Sequence, residues 1–517
     1  MKKVSTVFWI SVPIAVVFVS WGAFWPDILI GFMSGLQSFF LERFGWFFQL
    51  SATFFLIFAV FLIFSRYGKI RLGKDDDKPE FNRATWFAML FSAGMGIGLL
   101  FFGVSEPISH YASPPVGEGG TSESARLALR YTYLHWGFHA WAIYATIALA
   151  LAYYKFRKNL PGLMSATLYP LLGERTKGPI GMLVDVFAVF ATVFGVAASL
   201  GLGAAQINGG LSYLTGIPNT IAVQFIIIAV VTVLFILSAG TGVKRGIKYL
   251  SNTNMVLAVV LFVFFLFLGP TVFLLDLITT TFGGYVQNLI VMGLRLAPFD
   301  EQQATWLRSW TIFYWAWWIA WAPFVGTFIA RVSKGRTVRE FVIAVLVIPS
   351  VVCAAWFGVF GGTGIYMEHV LGLPVSAQSL ETALFFVYQH VPLSTLLAVV
   401  TLILIGTFFI TSADSATFVL GMQTTHGSLN PPNSVKIIWG LILSASAAIL
   451  LYSGGLQGFQ TAIIVSAFPL AVVLIVMAFS LLKSFSSEQR PKPGERANIE
   501  TSPAEEREIK PFRQKAR

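Results

Sequence analysis

The chain has 517 residues, of which 56% are hydrophobic and only 11% charged, with a formal charge of +11 and a mean hydropathy of +0.74. A single water-soluble core stops growing well short of this length, and soluble domains carry about 25% charged residues, so soluble enzymes, nucleic-acid binders and disulfide-stapled secreted domains are excluded. Long unbroken apolar runs, rather than short alternating segments, mark an all-α integral membrane protein and not an outer-membrane barrel.

Helices of about twenty residues placed on those runs predict twelve spans, at about 6 to 28, 46 to 65, 84 to 106, 132 to 154, 181 to 213, 218 to 240, 253 to 278, 305 to 331, 338 to 360, 391 to 421, 434 to 454 and 459 to 482. Lys2 and Lys3 precede the first, but Gly22 to Pro26 offers no small-residue cleavage site, so that span is expected to be retained. With the N-terminus inside, 30 of the 35 Lys and Arg fall in inside segments, and five lie outside: Arg43, Arg126, Arg130, Arg295 and Arg308. This positive-inside bias predicts a multi-pass protein of the cytoplasmic membrane with both termini in the cytoplasm. It also accounts for the net charge without a nucleic-acid partner.

Residues 1–83 read as two peripheral spans and a solvated loop holding Asp75, Asp76 and Asp77. Two groups of five spans follow, 84–280 and 305–482, joined by an interfacial helix within 281–304 on the outside. Each group opens on a span interrupted by helix-weakening residues, Ser92 to Gly98 in the first and Ala322 to Gly326 in the second. Five is odd, so the second group is inverted relative to the first, and paired broken spans point to a transporter with its site at mid-membrane. The tail 483–517 turns to Ser, Glu, Lys, Arg and Pro, and reads as a solvated topology anchor or a segment resting on anionic lipid. The lone Cys353 sits in an apolar run and reads as packing.

Trp136, Tyr144 and Trp141 fall near about 0°, 80° and 140° on one helix, and Trp317, Trp321, Tyr314 and Trp318 near about 0°, 40°, 60° and 100° on another. Each set shares a face. Trp141 and Trp317 lie near mid-depth, away from the headgroup belts where tryptophan concentrates. Aromatic packing explains either cluster alone. Two at one depth, beside a glycine break in a third span, form a cage suited to a quaternary ammonium, at roughly 1 to 2 kcal/mol per desolvated face. Thr411 and Ser412 lie at the depth of the Ser92 to Met95 break. Hydroxyls with carbonyls freed by an unwound helix suit sodium, and no intramembrane carboxylate sits at the centre as a proton carrier would. Hydrogen bonding of both hydroxyls to their own helix is the alternative.

At Gly94-Met95-Gly96-Ile97-Gly98, Trp136 with Trp141 and Tyr144, Trp317-Trp318 with Trp321, and Thr411-Ser412-Ala413-Asp414-Ser415, the chain resembles the betaine/carnitine/choline family of secondary transporters. The likeness runs from the first span to about Met422. It implies a twelve-helix fold whose last ten helices form a five-plus-five inverted repeat like that of the amino-acid:sodium symporters, assembled as a homotrimer. It implies an aromatic box of Trp136, Trp141, Tyr144, Trp317, Trp318 and Trp321, with Trp321 on the trimethylammonium group. Gly94, Gly96 and Gly98 complete the substrate site. Choline carriers of the family tend to have Asp at the Gly98 position, whereas its betaine carriers resemble this chain in having Gly, and a zwitterion brings its own carboxylate for amides freed by the break. Ser92, Met95, Phe408, Thr411 and Ser412 are implied as a sodium site, the first, second and third of these through carbonyls. Thr192 and Phe324 are implied in a second, but Val196 stands where that site expects threonine.

These readings give a sodium-coupled importer of glycine betaine, or a related trimethylammonium solute, for osmoprotection, with sodium as coupling ion, membrane lipid around it and no cofactor. The alternatives within the family are a choline or carnitine carrier and a sodium-independent exchanger. A channel needs a continuous polar ring and an enzyme needs clustered acid, base or metal groups at depth, and the sequence offers neither. Arg331 and Asp414 are expected near the inner side, where they suit a gate pair; lipid contact and a helix-internal bond are the alternatives. His135 and His139 are a turn apart, but no carboxylate or cysteine in sequence accompanies them as further metal ligands.

Overall fold

The computed structural model describes residues 4–94, 96–241 and 244–488, with side chains outside 91–94, 239–241 and 244–251. In chain order the helices are α1 (Thr6–Phe24), α2 (Pro26–Phe64), α3 (Arg83–Gly94), α4 (Ile97–Ala112), α5 (Ser122–Trp136), α6 (Phe138–Ala152), α7 (Tyr169–Leu172), α8 (Pro179–Thr215), α9 (Ile221–Thr241), α10 (Lys244–Leu268), α11 (Thr271–Gly293), α12 (Glu301–Leu307), α13 (Phe313–Val332), α14 (Val338–His369), α15 (Ala383–Gln389), α16 (Ser394–Gln423) and α17 (Asn433–Ser486). Nine helical stretches among the described residues are long and apolar enough to cross a membrane, and a bent pair makes a tenth. The protein is an all-helical, multi-pass integral membrane protein.

Breaks in these helices have local causes. Gly96 adopts an extended backbone (φ −155°, ψ −148°) between α3 and α4, where the first interruption is expected from the sequence. Gly137 makes a second, unexpected break between α5 and α6, and a Cβ there would lie 2.4 Å from the Tyr133 carbonyl and 2.6 Å from the Tyr285 hydroxyl. α17 bends at Gly455 (φ 53°), a left-handed conformation natural to glycine, and this separates the two expected final spans. By contrast α13 runs unbroken through Pro323, correcting the expected interruption at Ala322 to Gly326. One proline removes a single helical donor, and the buried surroundings of α13 hold the helix through it. The irregularity instead precedes α13, as a π-turn over Arg308–Ile312.

The expected span ending near 278 stops at Leu268, because Gly269-Pro270 ends α10. α11 leaves at 108° to it, so the lateral helix begins at Thr271, earlier than the expected linker segment. Its last carbonyls are capped from α2: Gln49 Nε2 donates to Gly293 O at 2.7 Å and Thr53 Oγ1 donates to the same oxygen at 2.6 Å. Gln49 Oε1 in turn accepts from the Trp315 indole at 2.8 Å. One buried amide thus registers α2, α11 and α13.

α8 is central, packing on α4, α13, α16 and α17. Its glycines permit this approach; a Cβ on Gly201 would lie 1.9 Å from Phe459 Cζ. At one end of the bundle Glu488 pairs with Arg157 at 2.8 Å and Lys158 at 2.9 Å and accepts from Tyr153 Oη at 2.6 Å. Burial alone would raise the Glu488 carboxyl, but these hydrogen bonds outweigh it and hold the pKa at about 2, against an ordinary 4.5. A depressed carboxylate stabilises fully above its unfolded value and loses that contribution only as pH falls towards 2. Docking of the α17 end is therefore expected to be unchanged between about pH 5 and 8 and to loosen in Glu488→Gln, read as faster amide exchange over the last turn of α17.

Candidate functional site

Three elements meet at the α3–α4 break: the start of α4, the end of α5 and the first half of α13. Together they line a cavity with Gly96, Gly98, Trp136, Trp317, Trp318 and Trp321, closed by Ser199 of α8. Trp317 and Trp318 have ring centroids 5.5 Å apart and planes within 6°. Trp136 meets Trp318 edge to face at 4.9 Å and Trp317 at 6.4 Å. The cavity is about 10 Å³, the room of roughly one water, so the rings leave little free space between them.

The indole donors fix these rings. Trp321 Nε1 donates to Gly195 O at 2.6 Å, Trp318 Nε1 to His135 O at 2.7 Å, and Trp136 Nε1 to Glu106 Oε2 at 2.7 Å. Trp317 Nε1 and Ser199 Oγ of the lining, and Tyr144 Oη behind it, are buried without partners, in a site that has aromatic faces on several sides. α8 fits against Trp321 only because residue 195 is glycine: a Cβ there would lie 2.7 Å from Trp321 Cδ1. Such an arrangement can enclose a cation through ring faces while leaving donors free for an anionic group.

Of the sequence-derived box, Trp136, Trp317, Trp318 and Trp321 converge with Gly96 and Gly98. Trp141 and Tyr144 stand behind them. Trp141 donates to Trp136 O at 3.2 Å and packs edge-on against Tyr144, which meets the edge of Trp318 at 5.8 Å. Gly94 ends α3 at the break. Ser199 escapes a reading of the sequence because one serine in a small-residue helix has no distinguishing neighbours.

Beside the break, Ser412 of α16 approaches Gly96, its Oγ 3.8 Å from where a Cβ would stand. Thr411 Oγ1 donates to Thr407 O at 2.9 Å and to Phe408 O at 3.2 Å. Met95 and the Ser92 side chain lie outside the described residues. Thr192 Oγ1 donates to Ala188 O of its own helix at 2.7 Å, and Phe324 packs edge-on against Trp321.

Two expectations are corrected. Among the described residues no ion pair joins Arg331 to Asp414. His135 does have a carboxylate neighbour, Glu106, which also meets His110, with ligand-type atoms of all three within 4.8 Å of one another. The Glu106 carboxylate, which the sequence places near the outer end of its span, thus lies buried directly behind the cage. It lies 29 residues from His135 in sequence, so spacing on one helix could not reveal it. His139 is apart from this group, stacked on Trp315 at 5.3 Å.

The pattern of the BCCT family, betaine/carnitine/choline family transporters, matches residues 6–490. The chain is 56% identical to the glycine betaine transporter OpuD of Bacillus subtilis, over 95% of this chain and 96% of that one. It is 44% identical to a probable glycine betaine transporter of Desulfitobacterium hafniense, over 94% and 98% of the two chains. Identity is 43% with an ectoine/hydroxyectoine transporter of Virgibacillus pantothenticus, over 94% and 97%. With the break, the tryptophan box and this match over nearly the whole length, the chain belongs to the betaine/carnitine/choline transporter family.

Proposed function

We propose that the protein imports glycine betaine by sodium symport, and the observation that carries this is the convergence of four tryptophans on the glycine break. The trimethylammonium group sits against Trp318 and Trp321, attracted by ring quadrupoles and unable to donate hydrogen bonds that the faces would leave unmet. The substrate carboxylate takes the first free amides of α4, at Ile97 and Gly98, where the helix dipole favours negative charge. Gly98 supports betaine over choline: a Cβ there would lie 2.9 Å from Trp136 Cη2, leaving no room for the aspartate that would balance a cation. Three or four faces at roughly 1 to 2 kcal/mol each contribute about 3 to 8 kcal/mol before ordering costs, so the carboxylate contacts supply the remainder of a micromolar affinity near about −8 kcal/mol.

Sodium binds at Thr411, Ser412 and the Phe408 carbonyl of α16, where Ser412 approaches Gly96 at the break, with Ser92 and Met95 as the further ligands that family resemblance implies. Thr411 donates its hydroxyl proton to the helix backbone, which leaves its oxygen lone pairs for a cation. Thr192 and Phe324 form a second ion position only in weakened form, since Val196 supplies no hydroxyl. Reading α3 with α4 as one broken span and α17 as two about Gly455 brings the bundle to twelve spans. The last ten form two inverted groups of five, with both termini cytoplasmic and a homotrimer as the assembly.

Uptake of labelled glycine betaine into proteoliposomes tests the reading. Accumulation is expected with an inward sodium gradient and not with an equal potassium gradient, and unlabelled choline is expected to compete poorly. Uptake indifferent to sodium would replace symport by exchange.

A further inference from the structure

Behind the cage wall lies a polar group that substrate contact does not explain. Glu106, on α4, has a side chain with no solvent exposure. Its Oε2 accepts from the Trp136 indole at 2.7 Å and from the Tyr314 hydroxyl. Its Oε1 meets His135 Nδ1 at 2.7 Å and His110 Nε2 at 3.2 Å. His135 Nε2 lies 3.0 Å from Thr311 Oγ1 in the π-turn before α13, and His110 Nδ1 has no partner.

The protons of this group can be assigned from its partners. If His135 carries its proton on Nδ1, Nε2 accepts from Thr311; if His110 carries its proton on Nε2, the unpartnered Nδ1 is a bare lone pair. Both imidazoles are then neutral and the carboxylate is ionised, with four donors on two oxygens. A buried carboxylate is tolerated only when its lone pairs are so satisfied. The donors come from three places: α4 itself, the end of α5 and the start of α13.

We propose that Glu106 is the positioning residue of the substrate cage, holding Trp136 and Tyr314 in register and setting the Trp136 ring against Gly98. Trp136 is the link. Its Nε1 end is tied to Glu106, and its far edge, at Cη2, is the atom a Cβ on Gly98 would meet at 2.9 Å. The same ring stands edge to face with Trp318. A rigidly held indole therefore makes glycine necessary at position 98, and a released one does not. Glu106 acts on substrate only through these rings.

The inference rests on the cage being the betaine site, and a thermodynamic cycle separates the two. Betaine dissociation constants are read by tryptophan fluorescence, with KM and maximal uptake in proteoliposomes, for wild type, Glu106→Gln, Gly98→Ala and the pair. An amide offers one acceptor oxygen and brings two donors of its own, so it cannot serve all four partners. Glu106→Gln is expected to raise Kd and KM about tenfold with maximal uptake per folded protein largely kept. Gly98→Ala is expected to weaken binding similarly. In the pair the combined loss should fall at least about fivefold short of the product of the single losses, because a freed indole yields to the methyl.

Single effects that multiply independently, or Glu106→Gln binding within about twofold of wild type, would overturn the proposal. So would stoichiometric zinc in the purified protein, which would make the Glu106, His110 and His135 group a metal site. If Glu106→Gln does not yield folded protein, Tyr314→Phe decides, since it deletes one donor and keeps the ring: Kd raised about threefold or more supports the positioning role, and an unchanged Kd overturns it. Wild-type protein that fails to bind betaine would sink the cage reading itself.

Discussion

Leucine in place of Trp321 is expected to weaken glycine betaine binding at least about tenfold, and phenylalanine less. Trp321 lines the cavity, donates to Gly195 O at 2.6 Å and is braced edge-on by Phe324 at 5.6 Å. Leucine restores much of the volume but carries no quadrupole, and the loss of one desolvated cation–π face is worth roughly 1 to 2 kcal/mol. Leucine also leaves the α8 carbonyl without its indole donor, which adds a smaller cost. Phenylalanine keeps a face and loses only the donor. Fluorescence titration reports this directly, since fourteen of the fifteen tryptophans remain. A dissociation constant unchanged in Trp321→Leu would remove this side chain from the cage.

The second large effect concerns the ion. Thr411→Ala with Ser412→Ala is expected to raise the sodium concentration for half-maximal uptake on the order of tenfold, taking roughly 0.5 to 1.5 kcal/mol for each hydroxyl ligand removed. Ser412 Oγ stands 3.8 Å from the Cβ position of Gly96, so the proposed ion ligands adjoin the break at which substrate is proposed to bind. Ion and substrate are therefore linked, and apparent betaine affinity should fall at low sodium and recover at high sodium. Misfolding would lower the amount of active protein without moving the midpoint. Superimposable sodium titrations for wild type and the double variant, normalised to reconstituted protein, would sink the assignment.

Most of the spanning helices are legible in the sequence because a membrane helix must be one long apolar run, and the tryptophan faces are legible because helical angle depends on spacing alone. Where the sequence misleads, local signals compete. Gly269-Pro270 ends α10 inside an apolar run that resumes from Val272 to Leu275, so hydropathy smooths over the corner. Pro323 weakens α13 on paper, but the helix carries on through it. Gly137 breaks α5 from α6 because of the Tyr285 hydroxyl that fills the space a side chain would need, and Tyr285 belongs to a helix remote in sequence. The Glu106 group is invisible for the same reason. Its members come from three segments, and no periodicity on any one of them brings a carboxylate to two imidazoles.

The small room within the proposed substrate box, about 10 Å³, has a consequence for selectivity. A cavity that its occupant must create does not select by matching a fixed outline; it selects by compliance, the work needed to move the Trp317 and Trp318 rings away from a Trp136 ring that stays held. That work rises with each added atom, whereas the quadrupole attraction is spent once the rings face the cation. Bulkier solutes are therefore penalised continuously rather than rejected at a threshold. The stiffness of the surrounding hydrogen bonds, more than the identity of the ring faces, becomes the property on which substrate range is tuned.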